Sequence, residues 1–100
     1  MTEELWDRYE DEFLKWERVD PKRSVRADLH AFLLLDEILP PNPCPGGGYS
    51  RMVAWARHDE IYLSVDCDRL AEVITDAQVL ELTRCGVRYD ENHDSLCMFV

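Results

Sequence analysis

Apolar side chains recur along this chain with two periods, and the switches between them mark its elements. Over residues 3 to 18, Trp6, Tyr9, Phe13 and Trp16 follow steps of three, four and three, which places them on one stripe of a helix. Thr2 is positioned to cap it. Glu4 with Arg8 and Asp11 with Lys15 form acid-before-base pairs four apart on its solvated side. Pro21 interrupts the pattern between Val19 and Arg23, so that stretch reads as a hinge, beside a positive cluster of Arg18, Lys22, Arg23 and Arg26. Ser24 can cap a second helix running through Leu39. Its Leu29, Phe32, Leu33, Leu35, Ile38 and Leu39 cover so much of the circumference that most of it should be buried, as the central core helix. Pro40-Pro41 ends that helix, and the Pro/Gly-rich run from Asn42 to Gly48 sustains neither helix nor strand, which predicts a flexible loop over residues 40–50.

Beyond the loop the period drops to two. Met52 to Ala56 and Ile61 to Val65 are β-type runs separated by Arg57-His58-Asp59-Glu60, a hairpin pattern. Asp66 is the N-cap of a short helix through about Ile74, and Thr75 that of another, with Val79, Leu80 and Leu82 inward and Gly86 as its stop. Val87 to Asp90 and Ser95 to Val100 flank the turn Glu91-Asn92-His93-Asp94. Leu96 to Val100 is apolar on both faces, as an interior strand requires. The expected architecture is a single α+β domain over residues 1–100, in the order α-α-β-β-α-α-β-β. Two hairpins form an antiparallel sheet covered by helices, and helix 3–18 lies at the periphery.

Composition narrows the function classes. With 100 residues, 46% of them hydrophobic and 10% aromatic, the chain supports one core and is too apolar for a disordered tail. No apolar run is longer than that of Ala31 to Leu35, which is too short for a membrane span. A net charge of −10 argues against direct nucleic-acid binding, which needs a basic surface. The four cysteines at 44, 67, 85 and 97 contain no C-x-x-C pair and mostly sit in apolar segments. The expectation is free thiols and a cytoplasmic protein with no secretory leader.

Candidate chemistry is sparse. His58, Asp59, Glu60, His93 and Asp94 are the most suggestive set, because two imidazoles beside carboxylates suit a divalent metal or a general base. They converge only if both hairpin turns lie at one end of the sheet. Otherwise they are ordinary wet turn residues. Asp90 to Ser95 begins like a calcium loop but has Ser95 where glycine is needed, and Asp66-x-Asp68 is explained by capping. Gly46-Gly47-Gly48 lacks the Lys-Ser or Lys-Thr of a phosphate loop, and no serine sits in a nucleophile elbow. No catalytic residue, metal or cofactor is expected.

The stretch Thr75-Asp76-Ala77-Gln78-Val79-Leu80-Glu81-Leu82-Thr83-Arg84-Cys85-Gly86-Val87-Arg88-Tyr89-Asp90, with Asp94 to Val100 and with His58 to Leu63 upstream, resembles small proteins carried by tailed bacteriophages. The resemblance covers about the C-terminal half and implies a setting, not an activity. Outside it, Glu3, Glu4, Asp7, Glu10, Asp11, Glu12, Glu17 and Asp20 crowd the first twenty residues against Arg8, Lys15 and Arg18. Aromatic anchors ringed by charge suit protein contact. Glu3, Glu4, Trp6, Asp7, Glu10, Asp11 and Trp16 are therefore the candidate partner-binding residues. The competing reading makes the aromatics core and the acids a solvated face. The expected function is a small acidic phage-type inhibitor, anti-CRISPR-like in its sharpest form. It would bind a host protein with a basic, nucleic-acid-handling surface and touch neither nucleic acid nor membrane. The alternatives are a small metal-dependent enzyme built on the hairpin turns, and a homo-oligomeric phage component with the first helix as its seam.

Overall fold

The strongest local signals lie in the second half, and the chain obeys them. The computed structural model describes residues 2–41, 43–49 and 51–99, with backbone alone at residues 2 and 3. Asp66 caps α3 (Cys67–Val73) by accepting the Asp68 and Arg69 N–H groups. Thr75 and Gln78 form a reciprocal capping box at the start of α4 (Asp76–Arg84). That helix closes with Gly86 N–H donating to the Thr83 carbonyl and Val87 N–H to the Leu82 carbonyl, both at 3.0 Å. Gly86 takes φ +97, which side chains rarely adopt, and an added Cβ would come 2.7 Å from Leu14 Cδ2.

Four strands make one antiparallel sheet. The hairpins β1 (Val53–Arg57) with β2 (Glu60–Leu63), and β3 (Arg88–Asp90) with β4 (Ser95–Phe99), join through β2 and β4, giving the order β1-β2-β4-β3. β4 is thus interior, as its two apolar faces require. Ile61, Leu63, Leu96 and Met98 point to the helical side. There they meet Trp6, then Ala31, Leu34 and Leu35 of α2 (Ala27–Ile38), and Leu70, Val79 and Leu82. The α+β class and the antiparallel sheet stand, whereas the order β1-β2-β4-β3 goes beyond a simple pair of hairpins and the expected element order α-α-β-β-α-α-β-β is matched only in part. The helices cover only one face of the sheet.

The N-terminal helix expected over residues 3 to 18 does not form as one piece. α1 spans Thr2–Asp7, and 3-10 turns follow at Glu10–Glu12 and Trp16–Arg18, with Leu14 at φ +63 between them. Ending the helix at Asp7 takes Asp11 out of the repulsive i, i+4 position it would hold against Asp7 in a continuous helix. Breaking it sends the aromatics to three destinations: Trp6 to the core, Phe13 edge-on to Phe99, and Trp16 edge-on to His30. The Leu14 N–H donates to the Thr83 carbonyl near the end of α4. Arg8 pairs with Asp76 at 3.0 Å, beyond the reach of its own helix. The capping expected of Thr2 lies outside the described residues.

α2 also departs from expectation. It starts at Ala27, and Ser24 accepts the Arg26 N–H instead of capping a longer helix. His30, Ala31, Leu34 and Leu35 form its buried face, while Leu29 and Leu33 are exposed. The glycine-proline segment is tied at its base by a bridge between Pro43 and Tyr49 and by Cys44 N–H donating to the Gly48 carbonyl at 2.8 Å. Among the described residues no helix is long and apolar enough to cross a membrane.

Candidate functional site

Two surfaces carry the polar side chains singled out in the sequence. The first is a cleft of about 400 Å³ walled by Asp7, Glu10 and Asp11 on one side and by Thr83, Val87, Arg88 and Tyr89 on the other, with Trp6 and Phe13 also lining it. The break in the N-terminal helix creates it, because the 3-10 turn swings Glu10 and Asp11 over the space between α1 and β3. A second hollow of about 250 Å³ shares Asp7, Arg88 and Tyr89 and adds Asp90 and Glu91. Asp7, Glu10, Asp11 and Glu91 are exposed, and none of them makes an ion pair among the described residues. The cation in this cleft, Arg88, is already engaged: it pairs with Glu60 at 2.9 Å and lies 4.8 Å over the Phe99 ring.

These positions correct part of the partner-binding set. Trp6 is 6% exposed and belongs to the core, since it is the aromatic that seats α1 against the helices and the sheet. Trp16 is half-buried, 5.3 Å from the His30 ring, with Lys22 Nζ at 5.1 Å over its own ring. Neither is an open anchor. Asp7, Glu10 and Asp11 share the cleft, Glu4 is exposed, and the Glu3 side chain lies outside the described residues.

The second surface is the face of the sheet turned away from the helices, which side chains of the strands and of the His93 turn cover themselves, so that Tyr62 and Cys97 are buried within it. Register places Trp55, Tyr62, Cys97 and Arg88 in one row across β1, β2, β4 and β3. Trp55 stacks on Tyr62 with ring centroids 4.1 Å apart and an interplanar angle of 2°, and His93 tilts against both at 5.3 and 5.0 Å. The Tyr62 hydroxyl donates toward both Glu60 Oε2 and Asp90 Oδ2 at 3.2 Å. Burial, reinforced by those two carboxylates, pushes its pKa up to about 12. The His93 Nδ1–H donates to Asp90 Oδ2 at 2.8 Å, and this bond leads the causes that hold Asp90 below the usual carboxylate value.

No family model, curated protein or solved structure matches this chain. None of these comparisons bears on the phage resemblance carried by residues 58–63, 75–90 and 94–100. Geometry alone bears on chemistry, and it separates the two histidine turns. Glu60, next to the turn at His58-Asp59, lies opposite Phe99 at the end of β4, whereas the turn containing His93 leads into Ser95 at its start. The turns sit at opposite ends of the sheet, because β2 and β4 are antiparallel neighbours. His58 adopts φ +54 in its turn and stays exposed, and Asp94 is at φ +46 with its carboxylate accepting from the Tyr89 hydroxyl. Among the described residues, no three His, Cys, Asp or Glu side chains group so as to hold a metal ion. His93 with Asp90 has the form of an oriented base. The thiol in the same cross-strand row, Cys97, is buried, and burial pushes its pKa up to about 11, the opposite of activation.

The histidine that sequence reasoning passed over is His30. It is 0% exposed on α2, its Nδ1 accepts the Arg23 N–H at 3.0 Å, and its Nε2 lies 2.6 Å from Glu81 Oε2 of α4. An accepting Nδ1 carries no proton, so Nε2–H donates to the carboxylate. The residue is a polar rivet between α2 and α4. Its signal was the small or polar set Ala27, His30 and Ala31, at the spacing of one helical face, which the leucines of α2 outweighed.

Proposed function

We propose that this protein is a binding module whose acidic cleft, between α1 with its following 3-10 turn and β3, receives a cationic segment of another protein. The observation that carries the reading is the set Asp7, Glu10, Asp11 and Glu91, all without ion-pair partners among the described residues, around a floor whose accessible part is the half-buried Phe13 and Tyr89. Such a cleft suits lysine and arginine: their stems lie along apolar surface while their charged ends reach carboxylates. The surplus of ten negative charges adds long-range steering toward a basic partner. The phage setting implied by the C-terminal resemblance gives the specific form of the proposal, in which the segment belongs to the basic surface of a nucleic-acid-handling host protein and its occupation blocks that surface.

The test is a titration of the isotope-labelled protein with a lysine- and arginine-rich peptide, followed by NMR at low and high salt. Shifts should concentrate at Asp7, Glu10, Asp11, Tyr89 and Glu91. Affinity should fall steeply as the Debye length shrinks from about 10 Å at 0.1 M salt to about 3 Å at 1 M. The triple variant Asp7→Asn, Glu10→Gln, Asp11→Asn should lose at least about tenfold in affinity, a coupling of roughly 1.4 kcal/mol. Shifts spread evenly over the surface, or equal binding by the triple variant, would sink the proposal.

A further inference from the structure

We infer that two copies of this chain pair through the outer face of α2, antiparallel, around Leu29 and Leu33. The buried face of α2 is His30, Ala31, Leu34 and Leu35. Directly opposite, Leu29 and Leu33 are 45% and 50% exposed, and Val25, just before the N-cap, is 90% exposed. Leu29 and Leu33 are one turn apart and so form a continuous apolar ridge. With Val25 beside it, this ridge is a contiguous apolar strip available for contact.

The charges at its ends identify the cover as a second copy. Arg26 lies three residues before Leu29, and Asp36 lies three residues after Leu33. Both are exposed, and neither makes an ion pair among the described residues. When Leu29 of one copy meets Leu33 of the other across a two-fold axis, Arg26 of each copy comes opposite Asp36 of its mate. Two leucine contacts and two ion pairs form at once, and the helix dipoles run oppositely. A parallel arrangement would instead set Arg26 against Arg26 and Asp36 against Asp36. The neighbouring Glu37 is already held within its own copy by Arg23 at 2.6 Å. The ridge is therefore self-complementary in one orientation, as a two-fold interface must be. A seam of one helix about 18 Å long falls in the size range of weak, concentration-dependent association rather than obligate dimers. The N-terminal segment, whose aromatics go to the core, to Phe99 of β4 and to His30 of α2, plays no part in it.

Sedimentation of the full chain over a concentration series provides the test, with circular dichroism confirming that each variant is folded. The wild type should shift from monomer to dimer as concentration rises. Leu33→Glu should abolish the dimer. Arg26→Glu and Asp36→Lys should each weaken it at least about tenfold by placing like charges opposite each other. The double variant Arg26→Glu, Asp36→Lys should regain most of the association, because the pairs re-form with their signs exchanged. That rescue arises only if the two positions face each other across the interface. A wild type that stays monomeric to millimolar concentration would overturn the inference, and so would a dimer indifferent to Leu33→Glu or a double variant no better than the singles. None of these substitutions touches the acidic cleft, so peptide binding there reports separately.

Discussion

Replacing His30 by alanine tests whether this buried ring is the joint between α2 and α4. The substitution removes the Nε2–H donor 2.6 Å from Glu81 and the acceptor of the Arg23 N–H, and it empties the space beside Trp16. A hydrogen bond to a charged group contributes about 1.5–3 kcal/mol. Glu81 is 33% exposed, so solvent screening argues for the low end of that range. The freed Arg23 N–H sits in an exposed residue and regains water at small cost. The vacated ring volume adds about 1–2 kcal/mol if the surroundings relax only in part. The sum is about 3 kcal/mol. At about 4–8 °C per kcal/mol for a domain of this size, Tm should fall by roughly 12–24 °C in thermal unfolding followed by circular dichroism. Glu81→Gln is the control, because the amide oxygen still accepts from Nε2–H and only the charge is lost. It should cost about 1 kcal/mol or less. A fall of less than about 4 °C for His30→Ala, or an equal fall for both variants, would refute the rivet.

Two further expectations come from the remaining titratable groups. Burial raises the thiols of Cys67, Cys85 and Cys97 to about 11, 12 and 11, whereas Cys44 is partly exposed in its loop. A disulfide-exchange reagent at neutral pH should therefore label one thiol quickly and three only on unfolding, and rapid labelling of all four would contradict the packing described. Asp90 is held below the usual carboxylate value chiefly by His93, so the stability it contributes is complete above that usual value and is lost as pH falls through its lower folded value. His93→Ala should raise the Asp90 midpoint in carboxyl NMR titration, and the stability gap between variant and wild type, present at pH 5, should close in stronger acid. An unmoved midpoint would show that His93 is not the cause.

The second half of the fold was legible in the sequence because its signals close within a few residues. Asp66 reaches N–H groups two and three positions away, Thr75 and Gln78 satisfy one another across a single turn, and Gly86 alone tolerates the left-handed stop of α4. The hairpins and the interior place of β4 follow from alternation and from apolar residues on both faces of one strand. No partner from elsewhere in the chain is needed to state these features. The N-terminal half was decided by distant partners. The stripe of Trp6, Tyr9, Phe13 and Trp16 is a helical pattern in isolation, yet the core, Phe99 and His30 each claim an aromatic, and the helix yields. That break alone brings Asp7, Glu10 and Asp11 to face Tyr89 and Glu91 across a cleft, so the acids were visible but their grouping was not. Likewise the leucines of α2 announce a helix, and only packing selects which stripe is buried. Antiparallel pairing of β2 with β4 likewise sends His58 and His93 to opposite ends of the sheet. Short-range hydrogen-bond closure is written in adjacent residues, whereas competition among remote contacts for the same side chains is settled only when the whole chain is folded.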